Sequence, residues 1–306
     1  MRNTNSLSRT LSPAGGRSLT ATLHDYLVLT KPTIMLLLLI TTVPAMVLAE
    51  GAWPDSWLVV ATLIGGMLAS GGAGAANMYL DRDIDALMER TRSRPVPSGS
   101  ISPAAAGIFG LVLGLLSGVW LALTVNLLAA ALALGAFLFY TLVYTLYLKR
   151  TTVHNTVLGG IAGSAPPLIG WVAVTGELGI EGLFLFLIVF FWQPPHFWAL
   201  ALGLTEEYRA AGIPMLPVVA GERRTKQQIV LYALLTAAIT LLFPAVAGLQ
   251  WIYTAAAAAG GAGFVWFAVR MLRSEGITGA DAMFRYSTSY LAALFGAMVL
   301  DRLLLG

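Results

Sequence analysis

Cysteine is absent from the 306-residue chain. That excludes disulfides, thiol nucleophiles and Cys-ligated metals, and leaves the compartment open. Charge is scarce as well: 11% of residues are Asp, Glu, Lys or Arg, against about 25% in soluble domains. Strict apolar–polar alternation is missing too, which disfavours a β-barrel. What fills the chain is apolar: 58% of residues are hydrophobic and the mean hydropathy is +0.79. The apolar runs are continuous and approach the ~20 residues that a spanning helix needs. These features predict an all-α polytopic membrane protein.

Nine apolar segments are expected as transmembrane helices around a central cavity: 33–48, 57–79, 103–123, 127–148, 156–174, 183–204, 229–248, 251–271 and 286–305. A start near Tyr26, before Pro32, is the alternative for the first. Residues 1–22 are rich in Ser, Thr, Arg and Gly and read as a disordered cytoplasmic tail, leaving 23–306 as a single transmembrane domain. A signal peptide cleaved after Ala49 is disfavoured because the polar lead before Thr33 is too long for an n-region. With a cytoplasmic N-terminus, 17 of the 18 Lys and Arg residues fall inside and only Arg302 falls outside. That asymmetry satisfies the positive-inside rule and puts the C-terminus on the opposite side. The net charge of +3 reflects this loop bias and not a nucleic-acid surface. Both long polar loops, 81–102 and 205–228, fall inside. They lie four helices apart, consistent with a duplicated four-helix unit whose copies each supply one loop to a shared site.

The most informative stretch is Asn77-Met78-Tyr79-Leu80-Asp81-Arg82-Asp83-Ile84-Asp85, where an apolar helix runs out. Asn77, Asp81 and Asp85 are spaced by four and share a helix face. Clustered carboxylates repel one another unless a cation sits among them. Their hard oxygens suit Mg²⁺, which binds one or two carboxylates together with substrate phosphates. Arg90, Arg92 and Arg94 follow in a proline-stiffened stretch, and guanidinium forks match phosphate oxygens. Together these residues describe a metal–diphosphate clamp at the bilayer surface, with Asn77, Asp81 and Asp85 as catalytic metal ligands. An Asp-rich helix cap with a positive loop is the plainer alternative.

The second stretch, Trp192-Gln193-Pro194-Pro195-His196-Phe197, predicts a break or kink in the sixth helix, with His196 inside the membrane as a candidate substrate contact. Glu206, Glu207 and Tyr208 follow at the end of that helix. Lys31 is either a positive flank or a diphosphate contact, and Lys149 stands with Arg150 at the inner end of the fourth helix. Phe137, Phe139, Tyr140, Tyr144 and Tyr147 crowd that helix and either line a cavity, where rings steady a carbocation, or form an interfacial belt. His154 is either interfacial or a site residue, and His24 is expected on the surface. The glycine runs at 65–66, 71–74, 159–160 and 260–263 read as close helix packing.

The 77–95 stretch resembles the first signature of the UbiA-type intramembrane prenyltransferases. Trp192 to Phe197, with Glu207, Tyr208 and 211–217, resembles the protoheme IX farnesyltransferase (heme O synthase) branch. The resemblance runs from Leu29-Thr30-Lys31-Pro32 through the ninth helix. It implies farnesyl transfer from farnesyl diphosphate to the 2-vinyl group of heme B with addition of water, giving heme O and diphosphate, in a bacterial inner membrane. Mg²⁺ is then the cofactor and heme B a substrate. The implied diphosphate and heme contacts are Lys31, Arg90, Arg92, Arg94, Lys149, Tyr144, His196, Glu207 and Tyr208. A handoff to a heme A synthase or to terminal-oxidase assembly is also implied. One departure stands out, because Glu206 and Glu207 replace the second aspartate-rich motif of many superfamily members. The rivals are a related enzyme acting on 4-hydroxybenzoate, a naphthoate or chlorophyllide, and a secondary transporter with Pro194-Pro195 as its broken helix.

Overall fold

The computed structural model describes residues 18–306, apart from the side chains at 34 and 36–39, and among these residues it contains helices and no strand. Helix α1 (Leu19–Leu29) is capped by Ser18, whose Oγ accepts from Ala21 N at 3.2 Å. The expected tail is thereby shortened: 19–22 already belong to α1, and 1–17 lie outside the described residues. Lys31 turns the chain with φ 54°, and Pro32 opens α2 (Pro32–Glu50). A residue before proline is pushed out of the helical region, so the chain breaks here and does not run on from Tyr26.

The remaining helices are α3 (Ser56–Leu80), α4 (Arg82–Leu87), α5 (Pro103–Thr124), α6 (Leu127–Thr151), α7 (Asn155–Thr175), α8 (Ile180–Gly203), α9 (Thr205–Ala210), α10 (Leu216–Ala247), α11 (Trp251–Arg273) and α12 (Ala280–Leu304). Among the described residues seven of these, α3, α5, α6, α7, α8, α10 and α11, are long and apolar enough to cross a membrane. With α2 and α12, each of the nine expected segments lies on a helix, and the chain is an integral membrane protein.

Lipid tails are as apolar as side chains, so close packing holds such helices together. Glycine permits it between α3 and α5. A Cβ on Gly110 would sit 2.6 Å from Ala76 N, and one on Gly72 would sit 2.7 Å from Gly110 O. Gly71 and Gly74 pack the same way against Leu29 and Thr30. In the other half an aromatic core joins α8, α10, α11 and α12 through Trp192, Phe243, Tyr253, Phe264 and Phe295. Two buried charges pin its ends. Asp301 accepts from Gln250 N (2.7 Å) and Tyr253 N (2.9 Å) at the start of α11. Lys226 donates to Ser274 O (2.9 Å) and Gly276 O (2.6 Å) just past its end.

Three local features depart from expectation. Helix α8 runs through Pro194 and Pro195 without a break. Each proline removes one N–H bond, but the flanking side chains hold the backbone. Gln193 Nε2 donates to Gly160 O (3.0 Å) and Ser164 Oγ (2.8 Å) of α7, and Trp192 Nε1 donates to Ser287 O of α12 (2.8 Å). The chain breaks elsewhere, at Ser164 ahead of Pro166-Pro167 in α7 and at Gly221 (φ 77°) in α10. The inner half of α6, Phe139–Leu148, is a π-helix, a form often found at functional sites.

Candidate functional site

The site assembles where α3 gives way to α4. Asp85 N donates to Asp81 O (2.7 Å) and Asp81 N to Asn77 O (2.8 Å), so one ladder carries the three residues across the helix junction. All three side chains are buried. Lys31 Nζ donates to Asn77 Oδ1 (2.7 Å), and Asn77 Nδ2 donates to Asp81 Oδ2 (2.7 Å) and Thr145 Oγ1 (3.2 Å). The π-helix aims Thr145 here, its hydroxyl donating to Tyr140 O at 2.8 Å. Lys149 Nζ also reaches Asp81 Oδ2. Arg150 clamps both oxygens of Asp83 (2.7 and 2.8 Å) and lies 3.6 Å from Asp81 Oδ1. Arg94 donates to both oxygens of Asp85 (2.8 and 3.0 Å), and Thr91 Oγ1 holds Asp85 O (2.8 Å).

The repulsion that points to a metal in the sequence is therefore offset by the protein's own cations. Arg150 holds the Asp83 carboxyl down to about 2, chiefly through its hydrogen bond. Burial, reinforced by Arg94 and Lys149, pushes the Lys31 ammonium down to about 7. Four cations around three carboxylates leave room for an added anion. Two oxygens are also suited to a hard cation: Asp81 Oδ1 and Glu207 Oε2 are buried without a hydrogen-bond donor. Among the described residues no three acidic or imidazole groups converge as a ready metal cage.

The second polar loop meets the first. Arg90 donates to Tyr208 Oη (3.4 Å) with its guanidinium 5.9 Å from the ring, and Tyr208 packs with Ile84, Met88, Ile213 and Met215. Burial pushes the Tyr208 hydroxyl up. Not every expected residue joins. Arg92 is exposed beside Glu89 (3.8 Å), and Glu206 pairs with Arg209. His196 is stacked between Trp192 and Phe284 (ring centroids 4.4 Å from each), with Nδ1 2.6 Å from Ser287 Oγ. It faces α12 and makes no bond to the carboxylate cluster. Thr145, Thr91 and the pairing role of Arg150 went unread in the sequence. Arg150 lay beside Lys149, but no spacing rule carries a contact over 67 positions.

An apolar cavity runs between α2, α3, α6 and α7, with Lys31, Gly74 and Tyr140 among its lining. It holds about 950 Å³ of empty space counting its mouth and extends past Gly66 and Phe137 to Thr42 and Ile169. Of the five aromatics of α6, Phe137 and Tyr140 line it. Tyr144 packs 5.2 Å from Tyr140, and Tyr147 is exposed. Cations and carboxylates at one end of an apolar tube suit a molecule with an anionic head and a long hydrocarbon tail.

The profile of the UbiA prenyltransferase family matches residues 38–291. A protoheme IX farnesyltransferase of Roseiflexus sp. (strain RS-1) is 50% identical over 280 residues, covering 92% of this chain and 52% of that protein. Another, from Symbiobacterium thermophilum, is 50% identical over 286 residues, covering 91% of this chain and 94% of that one. The chain thus spans about half the length of some relatives, the Roseiflexus protein among them, and nearly all of others. Among solved structures, a UbiA homolog from Archaeoglobus fulgidus bound to DMAPP and Mg²⁺ superposes with a TM-score of 0.65 at 17% identity, over 90% of this chain and 99% of that one.

Proposed function

The chain belongs to the UbiA prenyltransferase family, and from that premise we propose that it transfers farnesyl from farnesyl diphosphate to the 2-vinyl group of heme B (protoheme IX), with addition of water, releasing heme O and diphosphate. The observation that carries this reading is the cluster of Lys31, Asn77, Asp81, Asp85, Arg94, Lys149 and Arg150 at the end of an apolar cavity, in a chain 50% identical to proteins of that activity.

The farnesyl tail lies in the cavity and the diphosphate meets the cations. Asn77, Asp81 and Asp85 would hold Mg²⁺, and the fit rests on Asp81 Oδ1, a buried oxygen without a hydrogen-bond donor. When bound, the metal supplies charge neutralisation at the diphosphate oxygens. Lys31, Arg94, Lys149 and Arg150 act in the same direction, stabilising charge that develops on the leaving group in a site of low dielectric. The C1–O bond breaks with its electron pair passing to diphosphate. The vinyl π electrons form the new bond to C1, in a cavity that Tyr140 and Phe137 line and where aromatic rings steady an allylic cation. Water captures the resulting carbocation and loses a proton. Residues 23–306 form one catalytic domain in this reading.

We also place the charged face in the cytoplasm of a bacterial inner membrane, since every basic residue from Lys31 onward except Arg302 falls in the segments expected on that side. The product then passes to a heme A synthase or to oxidase assembly. Heme extracted from membranes expressing the wild-type chain should contain a new, more hydrophobic species that is missing with Asp81→Ala. Its presence at wild-type level in the variant overturns the assignment.

A further inference from the structure

A second cavity opens on the charged face, between the loop joining α6 to α7, the inner part of α8 and the first turns of α10. It holds about 900 Å³ counting its mouth. Five of its side chains carry hydrogen-bond donors: His154, Trp198, Arg224, Gln228 and Tyr232. Among the described residues none of the five makes a side-chain hydrogen bond or ion pair. Trp198 is 2% exposed and backs the cavity, whereas Arg224 and His154 stand exposed at it. Among the described residues no carboxylate lines this cavity, and Glu222, two residues before Arg224, pairs with Lys226 (2.8 Å). Trp198 and Tyr232 meet edge to face (ring centroids 5.4 Å) and, with Val157, give an apolar wall. Donors without acceptors beside aromatic walls select a flat, apolar molecule with an anionic edge.

Heme B has that form, with two propionates on one edge of a planar macrocycle. The apolar cavity has Lys31 as its one cation, and the cations of the cluster face aspartates and the diphosphate. We propose that Arg224, with Gln228 and Tyr232, grips the carboxylate edge of the tetrapyrrole acceptor, an assignment that rests on the acceptor named above. The α6–α7 loop joins the two sites: Lys149 stands on Asp81, and five residues further His154 lines this cavity.

The test compares heme B with its dimethyl ester on purified full-length protein in nanodiscs, by Soret titration and by turnover. Esterification should weaken wild-type binding about tenfold. Arg224→Ala should weaken free-acid binding by a similar factor, raise KM for heme, leave KM for farnesyl diphosphate within twofold, and abolish the ester effect. Arg224→Lys should recover part of the loss, and Arg273→Ala should bind as wild type. The proposal is overturned if Arg224→Ala still prefers the free acid tenfold. It is also overturned if the defect appears only in nanodiscs containing phosphatidylglycerol, which would mark a lipid-headgroup site. Ester-sensitive binding that depends on Arg224, without farnesyl transfer, would uphold this cavity while refuting the reaction proposed above.

Discussion

Lys149 donates to Asp81 across 68 positions of sequence, onto the same carboxylate oxygen that Asn77 holds. Both side chains are largely removed from water, and removing one partner of such a pair costs about 3–5 kcal/mol. Asp81→Asn alone should therefore lower the melting temperature and abolish heme O formation. Adding Lys149→Met should return most of the lost stability without returning turnover. Thermal denaturation and heme extraction on the same preparations separate the two effects. A neutral double variant with wild-type turnover would remove the pair from the chemistry.

Metal dependence follows from the donorless buried oxygen of Asp81. Exhaustive chelation should stop transfer, and added Mg²⁺ should restore it, since hard carboxylate oxygens favour that ion. Full turnover after chelation, followed by isotope-labelled product, would refute metal assistance.

Glycines on α3 and α5 should divide into two classes. A Cβ on Gly66 meets nothing within 4 Å, and Gly66 lines the apolar cavity. Gly66→Leu should fold, raise KM for farnesyl diphosphate and spare geranyl diphosphate, as read by mass spectrometry of the product hemes. Gly110→Ala drives a methyl into the backbone of Ala76, and overpacking of this kind costs about 1–3 kcal/mol. It should lower expression and thermal stability with either substrate.

His196 is held by Ser287 and two stacked rings. His196→Ala should cost about 1–3 kcal/mol of stability by stranding the Ser287 hydroxyl and opening a void, whereas His196→Asn should recover part of it. Neither variant should alter heme affinity in a Soret titration. A tenfold loss of affinity in both variants would restore the histidine to the acceptor site.

Much of this was legible in sequence because membrane helices obey simple rules. Run length put each of the nine expected segments on a helix, and the four-residue spacing of Asn77, Asp81 and Asp85 predicted their common face. What stayed hidden was non-local or compensatory. The pairing of Arg150 with Asp83 and of Lys31 with Asn77 depends on tertiary packing, which periodicity does not encode. Pro194-Pro195 suggested a broken helix because the rule counts missing N–H groups and not the bracing by Gln193 and Trp192. Ser164, where the chain does break, precedes the second Pro-Pro pair, Pro166-Pro167, whereas Gly221 sits in a sequence with no stronger signal than many intact turns. His196 drew attention as a histidine within a membrane helix, yet its partners lie 88 to 91 residues further on in α12.

The π-helical stretch of α6 sets the angular position of everything after it. An α-helix advances about 100° per residue, so deleting one residue within Phe139–Leu148 would swing Lys149 and Arg150 around the barrel of the helix, away from Asp81 and Asp83. The spans would remain as greasy as before, and a hydropathy plot would register nothing. The charge balance at the inner lip would nonetheless be dismantled. The wide turn thus acts as a phase setting, fixing how two cations on one helix are timed to meet two anions on another.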